Sequence, residues 1–483
     1  MSTGSATGPL TFTPVEEIPN IRENLRSTFK TGKTRPLAWR RQQLRQLALM
    51  MQENRDALAD SLWRDLHKPK EEVFIAEIGA VMARALESAE KLEEWAKPES
   101  LVGQVEDWQK DWNPRTHHQP KGTVLVIAPW NYPIILTLQP FMGAVAAGCC
   151  AVIKPSELAP TYAALLADLL PKYLDPSCFQ VVNAEIEGTT KLLELQWDHI
   201  VYTGNGKIGR VVASAAAKHL TPVTLELGGK SPVIIDPASD LRLAAKRTLY
   251  GKYNNAGQIC VAPDYVLIPT NKQDEFVGHL KEIYEEFFPD EGRSLSSESF
   301  GHIVNETHYK RVKALLDATN GDVVIGGRSQ PPKGIELTVI NNVQAGDSLM
   351  EEEIFGPLLP IVPVDDLEAA IQFVNDRDHP LILYLFTQND KVKDYVLDNT
   401  TSGGLCINDT FQQLSVNMPF GGVGESGYGR QVLRYGFESC SNARAYVDVP
   451  KEAEQMLGVR YLPYNEQSRA VINGLVVGVK IPT

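Results

Sequence analysis

GTVLVIAP, residues 122–129, is a near-continuous apolar run closed by a proline. It has no polar alternate face, so it reads as a strand buried on both sides, as in parallel sheets. Working outward, a helix-like stretch (134–147) follows, then CAVIKPSE (150–157), a helix (160–173) and FQVVNA (179–184). DHIVYTG (198–204), a helix (206–218) and TPVTLEL (221–227) complete the series. The pattern restarts with SPVIID (231–236) and a helix (240–252), and a second α/β block runs to about residue 417. Strand and helix alternating at this spacing predict a parallel, doubly wound sheet.

Upstream, Arg35 to Leu66 and Glu71 to Ala96 carry apolar residues at helical spacing. Residues 99–121 break that pattern with Pro114, Pro120 and two tryptophans, which predicts an excursion such as a hairpin. The polar first 20 residues lack the charged and apolar regions of a signal peptide and are expected to be a mobile tail. At the other end, AVINGLVVGV (470–479) is interrupted by Asn473 and two glycines. It is far short of the roughly 20 apolar residues of a membrane span. A packed strand-like tail is expected there, with a weak membrane contact as the alternative.

A chain of 483 residues exceeds one ordinary core, so two or three domains are expected. The composition, 43% hydrophobic and 22% charged, is that of a soluble globular protein. A net charge of −13 without any basic block argues against nucleic acid as a partner. Six cysteines without CxxC or zinc-like Cys/His spacing predict reduced thiols, a cytoplasmic location and no metal. Cys149, Cys150, Cys178, Cys406 and Cys440 lie in apolar contexts and read as packing residues.

A doubly wound sheet binds ligands beyond the carboxyl ends of its strands. Three strand ends carry chemistry: Trp130 and Asn131 after VLVIAP, Lys154 and Glu157 after AVI, and Gly204-Asn205-Gly206-Lys207-Ile208-Gly209 after HIVYT. The last is a G-x-G-x-x-G between strand and helix, the context of a dinucleotide fingerprint. That fingerprint asks for an acid about 20 residues on, bound to the ribose. Glu226 fits, but it opens ELGGKSP, whose two glycines suggest an active-site turn, and Lys154 with Glu157 offers another ribose pair. The spacing rules leave both assignments open.

Cys260 closes the polar, turn-prone run GKYNNAGQIC (251–260) just before the apolar segment 265–268. A thiol at a loop tip is accessible, and thiolate is the strongest side-chain nucleophile near neutral pH.

PWNYP, IKPSE, YTGNGKIG, TLELGGKSP, GQICVAPDYVL, EEEIFGP (351–357) and MPFGGVGESGYG (418–429) stand in the order seen in the aldehyde dehydrogenase superfamily. Over residues 25–447 the chain most resembles the class 3 branch, which includes the fatty aldehyde dehydrogenases. The resemblance implies a Rossmann-type NAD domain, an α/β catalytic domain and a small β oligomerisation arm. It implies a mobile tail at 1–20, an NAD(P)-binding domain at 21–98 and 122–229, and a catalytic domain at 230–417. Bridging segments would be 99–121 and 418–450, and a C-terminal tail 451–483.

It further implies Cys260 as nucleophile, Glu226 as general base and Asn131 as oxyanion donor. Glu353 and Phe355 would hold the nicotinamide side, with Trp130 beside the cofactor. Lys154 and Glu157 would face the adenine ribose, and the 204–209 loop the pyrophosphate. NAD would be the cofactor, with NADP also usable, in a homodimer. Tyr132, Ile135 and Phe411 suggest an apolar funnel for medium or long aliphatic, or aromatic, aldehydes. The chain departs from the class at TFQQLSVN (410–417) and Gln431-Val432-Leu433, where histidine-bearing stretches are usual. Two alternatives stay open: a CoA-acylating variant, against which Glu226 argues, and a catalytically silent protein on the same fold.

Overall fold

The computed structural model describes residues 8–290, 293–474 and 481. By their contacts they form two units, 1–95 with 120–441, and 96–119 with 442–483.

The larger unit holds two sheets. The first runs in the order Gly427–Tyr428, Val223–Leu227, His199–Gly204, Thr123–Ile127, Cys150–Lys154, Phe179–Val181. All its pairings are parallel except that of the edge strand Gly427–Tyr428. The chain starts in the middle, moves one way and then returns past its start to the other side, the doubly wound arrangement. Every residue of Thr123–Ile127 and Cys150–Lys154 is buried, which is why they read as unbroken apolar runs.

Register aligns the carboxyl ends. Ile127 stands beside both Lys154 and Tyr202, and Thr203 beside Glu226. Trp130, Lys154, Gly204 and Glu226 therefore leave one edge of one sheet.

The second sheet runs Asp322–Ile325, Thr338–Asn341, Leu358–Val364, Tyr265–Pro269, Pro232–Ile235, Ile382–Phe386, Gly404–Ile407 and is parallel but for its first pair. Its core includes Leu267, Leu358, Leu383 and Leu385, all fully buried.

Four features differ from the sequence reading. The N-terminal tail is packed from Thr13 on: its N–H donates to Asn183 O at 2.8 Å and Ile18 is fully buried. Residues 1–7 lie outside the described residues. A helix, Ile186–Glu194, was not anticipated, because Gly188 and two threonines weaken its local propensity. Residues 418–441, grouped above with the bridging segments, cluster with the larger unit: Gly427 pairs with Glu226, and the helix Arg434–Ser439 packs on Pro133–Ala147. At the C-terminus Glu466–Ile472 is helical, not strand-like, and residues 475–480 of the apolar tail lie outside the described residues.

In the smaller unit, Glu99–Ser100 pairs antiparallel with Arg115–Pro120, which lies between it and Ser441–Tyr446. The Arg115 guanidinium sits 4.2 Å from the centre of the Tyr446 ring. Residues 442–446 of the outer strand are exposed. Among the described residues no helix is long and apolar enough to cross a membrane.

Candidate active site

The thiol loop gets its shape from backbone that few residues tolerate. Asn255 and Ala256 are left-handed (φ 47° and 52°), and Gly257 follows at φ 71°. A Cβ on Gly257 would lie 2.3 Å from Gly356 O, so only glycine lets the GQIC loop meet the EEIFGP segment backbone to backbone. Buried amides hold the loop in place. Asn255 Nδ2 donates to Asn131 O at 2.8 Å and to Gln258 O at 3.1 Å. Gln258 Nε2 donates to Asn255 O and His302 O, each at 2.9 Å. Asn131 Nδ2 donates to Gln258 O at 3.0 Å, which commits one of its two N–H bonds and aims the amide at the loop. The strained turn is thus determined from several sides, as strained functional loops must be.

Beneath Asn131 lies a buried ion pair that sequence reading missed. Lys68 and Glu77 are both fully buried, with Nζ and Oε1 2.5 Å apart. Lys68 Nζ also donates to Asn131 O at 3.2 Å and lies over the Tyr132 ring. Glu77 Oε2 accepts the N–H of Ile134 at 2.8 Å, covering the start of the helix Pro133–Ala147. A π-helical turn, Phe74–Ile78, carries Glu77. Such bulges insert one residue and re-aim side chains near functional sites. Removing one partner strands a buried charge. Glu77→Ala is therefore expected to destabilise the fold by about 3–5 kcal/mol, seen as a lower denaturant midpoint at unchanged slope.

Glu226 is the penultimate residue of the strand Val223–Leu227 and is 3% exposed. Both its carboxylate oxygens are buried without a hydrogen-bond partner. Burial pushes its carboxyl up to about 8. The Gln431 amide and the Arg430 guanidinium oppose this from nearby without reaching hydrogen-bond geometry. Burial also pushes the Cys260 thiol well up, and the Glu353 and Glu226 carboxylates push the same way. The thiol therefore lies within reach of the charge of both carboxylates. Among the six cysteines, all unpaired, Cys260 alone is partly exposed.

Glu353 approaches from the second sheet. Its carboxylate lies so close to Gly228 that a Cβ there would be 2.0 Å from Oε2, which accounts for one glycine of ELGGK. Burial, then the charge of Asp264, pushes Glu353 up to about 8, and its Oε1 is buried and unpartnered. The segment is pinned by three residues not singled out in the sequence. Asp264 accepts the Ile354 N–H at 3.0 Å and is ion-paired to Lys230. Arg311 donates to Ile354 O at 2.6 Å. Asp264 and Lys230 stand inside quoted motifs, which was the available signal. Phe355, at φ 46°, packs edge-on to Trp130 with ring centres 5.3 Å apart.

At the next strand end Lys154, 5% exposed, pairs with Glu157 at 2.5 Å. At the third, Asn205 caps the helix Gly206–Ala217 by accepting the Ile208 N–H at 3.0 Å. A Cβ on Gly204 would strike the Tyr202 hydroxyl, and one on Gly209 would strike Leu227, so those two glycines serve packing. Gly206 has only the Arg210 side chain within range and is the one left for close approach by a ligand.

Asn131, Glu226, Cys260, Glu353, Phe355 and Trp130 thus converge, with Lys154–Glu157 and the 204–209 turn along the same sheet edge. A doubly wound sheet meeting a loop-borne thiol and a buried, unpartnered carboxyl is an arrangement suited to nucleophilic chemistry beside a nucleotide-binding edge. The model of the Aldehyde dehydrogenase family matches residues 2–446. The chain is 42% identical to the dimeric NADP-preferring aldehyde dehydrogenase of Canis lupus familiaris, covering 93% of this chain and 98% of that one. It is 41% identical to aldehyde dehydrogenase family 3 member A2 of Rattus norvegicus, covering 92% and 91%. A solved structure, the substrate-bound state of Staphylococcus aureus AldH, superposes with a TM-score of 0.91 at 34% identity, covering 95% of this chain and 99% of that one. The chain belongs to the aldehyde dehydrogenase family and has its fold. It is an oxidoreductase that oxidises aldehydes, on the class 3 branch.

Proposed function

We propose that this enzyme oxidises medium- or long-chain aliphatic, or aromatic, aldehydes to free carboxylic acids through a thioester on Cys260. The observation that carries the reading is the Cys260 thiol lying within reach of the charge of Glu226, whose two oxygens are buried and unpartnered. Such a carboxyl is free to exchange protons with a thiol or a water. Cys260 attacks the aldehyde carbon, and the Asn131 amide and the Cys260 N–H hold the oxyanion as it forms. Glu226 then takes a proton from the water that hydrolyses the thioester. Tyr132 and Ile135, both nearly buried, and Phe411 against Tyr250 form the apolar approach.

The cofactor is NAD, with NADP also used; when bound it accepts the hydride. The residues suit it: Glu353 has an orphaned buried oxygen for a ribose hydroxyl, Phe355 and Trp130 form an aromatic wall, and Gly206 permits close approach. Residues 21–98 and 122–229 are the nucleotide-binding part, and 230–417 the catalytic part. Lys154 and Glu157 face the adenine ribose. Glu157 holds Lys154 and repels a 2′-phosphate. Glu157→Gln should therefore shift the ratio of catalytic efficiencies towards NADP by about 1 kcal/mol, roughly fivefold. An unchanged ratio would remove Glu157 from the ribose.

The exposed strand residues 442–446 support a homodimer, the commonest closed assembly. Light scattering at micromolar concentration should give twice the chain mass, and a monomer mass contradicts it. Six unpaired thiols fit a reducing, cytoplasmic setting. The reading as a whole is tested by mixing purified protein with NAD and a panel of aliphatic and aromatic aldehydes. Nicotinamide absorbance should rise without added CoA, and no rise with any aldehyde contradicts the reading.

A further inference from the structure

TFQQLSVN (410–417), where the chain departs from class 3, carries a polar group that the chemistry above does not use. Gln413 lies in the short helix Gln412–Ser415 beyond the strand Gly404–Ile407. Its amide lies beside the Tyr384 hydroxyl without hydrogen-bond geometry to it. That hydroxyl is engaged elsewhere: it donates at 2.6 Å to the carbonyl of Val261, the residue after Cys260. Gln413 thus sits next to the thiol loop. Its Oε1 and Nε2 are both buried, and neither has a partner. A buried amide with donor and acceptor both unmet is rare in native proteins and asks for an explanation.

The neighbouring wall is tied off. Arg84 donates to Gln139 Oε1 and, at 2.5 Å, to Leu414 O, joining the helix Pro133–Ala147 to the 412–415 turn. Asn417 Nδ2 donates to Glu87 at 2.7 Å. Gln139, Leu414 and Asn417 are therefore satisfied, and Gln413 is not. Beside it stands Tyr384, and Phe411, two positions earlier in the chain, packs on Tyr250 with ring centres 6.0 Å apart.

We propose that the Gln413 amide is a specificity-determining contact that selects aldehydes bearing a hydroxyl over their methyl isosteres. A hydroxyl is both donor and acceptor, so it can meet both halves of a carboxamide. A methyl group of the same size leaves both unmet, and sites built around such a hydrogen bond reject the analogue lacking it. The inference rests on Cys260 being the point of attack, since that places Gln413 along the substrate.

The test uses the full-length protein with NAD and three rigid pairs: 2-, 3- and 4-hydroxybenzaldehyde, each against the methylbenzaldehyde of the same substitution. For at least one position wild type should favour the hydroxyl by tenfold or more in kcat/KM. Gln413→Leu should cut that preference by tenfold or more, with kcat/KM on the methyl partner rising. If Gln413→Leu does not fold, Gln413→Met decides: it keeps the length of the side chain but has neither the N–H donor nor the carbonyl acceptor, so the preference must fall at least threefold. No hydroxyl preference in wild type, or a preference unchanged in the deciding variant, overturns the inference. Failure of wild type to oxidise any of the six aldehydes, or the aliphatic panel, would instead count against the proposed function.

Discussion

Cys260→Ala is expected to lose aldehyde oxidation, with kcat falling on the order of 10⁴-fold or more, while NAD still binds. The size follows from the site having no substitute nucleophile. Cys149, Cys150, Cys178, Cys406 and Cys440 are all buried, whereas Cys260 is partly exposed at the end of a loop fixed by Asn131, Asn255 and Gln258. Binding should survive because the edge proposed for the dinucleotide, with Lys154, Glu157 and the 204–209 turn, is built on other strands. Steady-state absorbance and NAD titration by fluorescence measure the two effects separately. Oxidation near the wild-type rate in Cys260→Ala would sink the thiol mechanism.

Glu226→Gln separates the two roles that the sequence rules leave open for this residue. As general base, it is needed after hydride transfer, so the variant should give one burst of reduced cofactor per site and then stall. As a ribose acid, it would mainly raise the KM for NAD and leave no burst. The surroundings favour the base: the carboxyl is 3% exposed and unpartnered, and its charge is felt by Cys260. The pH dependence has a definite sign. A carboxyl raised to about 8 holds its proton below that pH, and only the deprotonated form can accept one from water. Deacylation in wild type should therefore speed up as pH rises through about 8 and then level. A profile flat from pH 6 to pH 9 contradicts the assignment.

The doubly wound sheet is legible because strands buried on both faces cannot alternate, so Thr123–Ile127 and Cys150–Lys154 stand out as apolar blocks. Ile186–Glu194 is not, because its helix is supported by packing rather than by its own propensity. Long-range partners are equally silent in the chain. Lys68 falls between the two helical stretches and Glu77 inside the second, each looking like an ordinary solvated charge, and only the folded structure brings them together under Asn131. The two outer glycines of the fingerprint show the converse limit. Their spacing reads as ligand binding, yet Gly204 and Gly209 are required by Tyr202 and Leu227. Gly257 and Gly228 are glycines for contacts with residues 99 and 125 positions away, Gly356 and Glu353, which no local rule anticipates.

The central claim is a covalent acyl group on Cys260 that Glu226 is needed to remove. It is tested most directly by peptide mass spectrometry of Glu226→Gln quenched in acid after a single turnover with NAD and an aldehyde. Trypsin should release residues 253–272, which contain Cys260 and no other cysteine. The account predicts that this peptide carries the mass of the acyl group, in near-stoichiometric yield, and that the adduct is absent in the Cys260→Ala, Glu226→Gln double variant. An unmodified 253–272 peptide after a full burst of reduced cofactor, or an acyl group on any other cysteine, would contradict it.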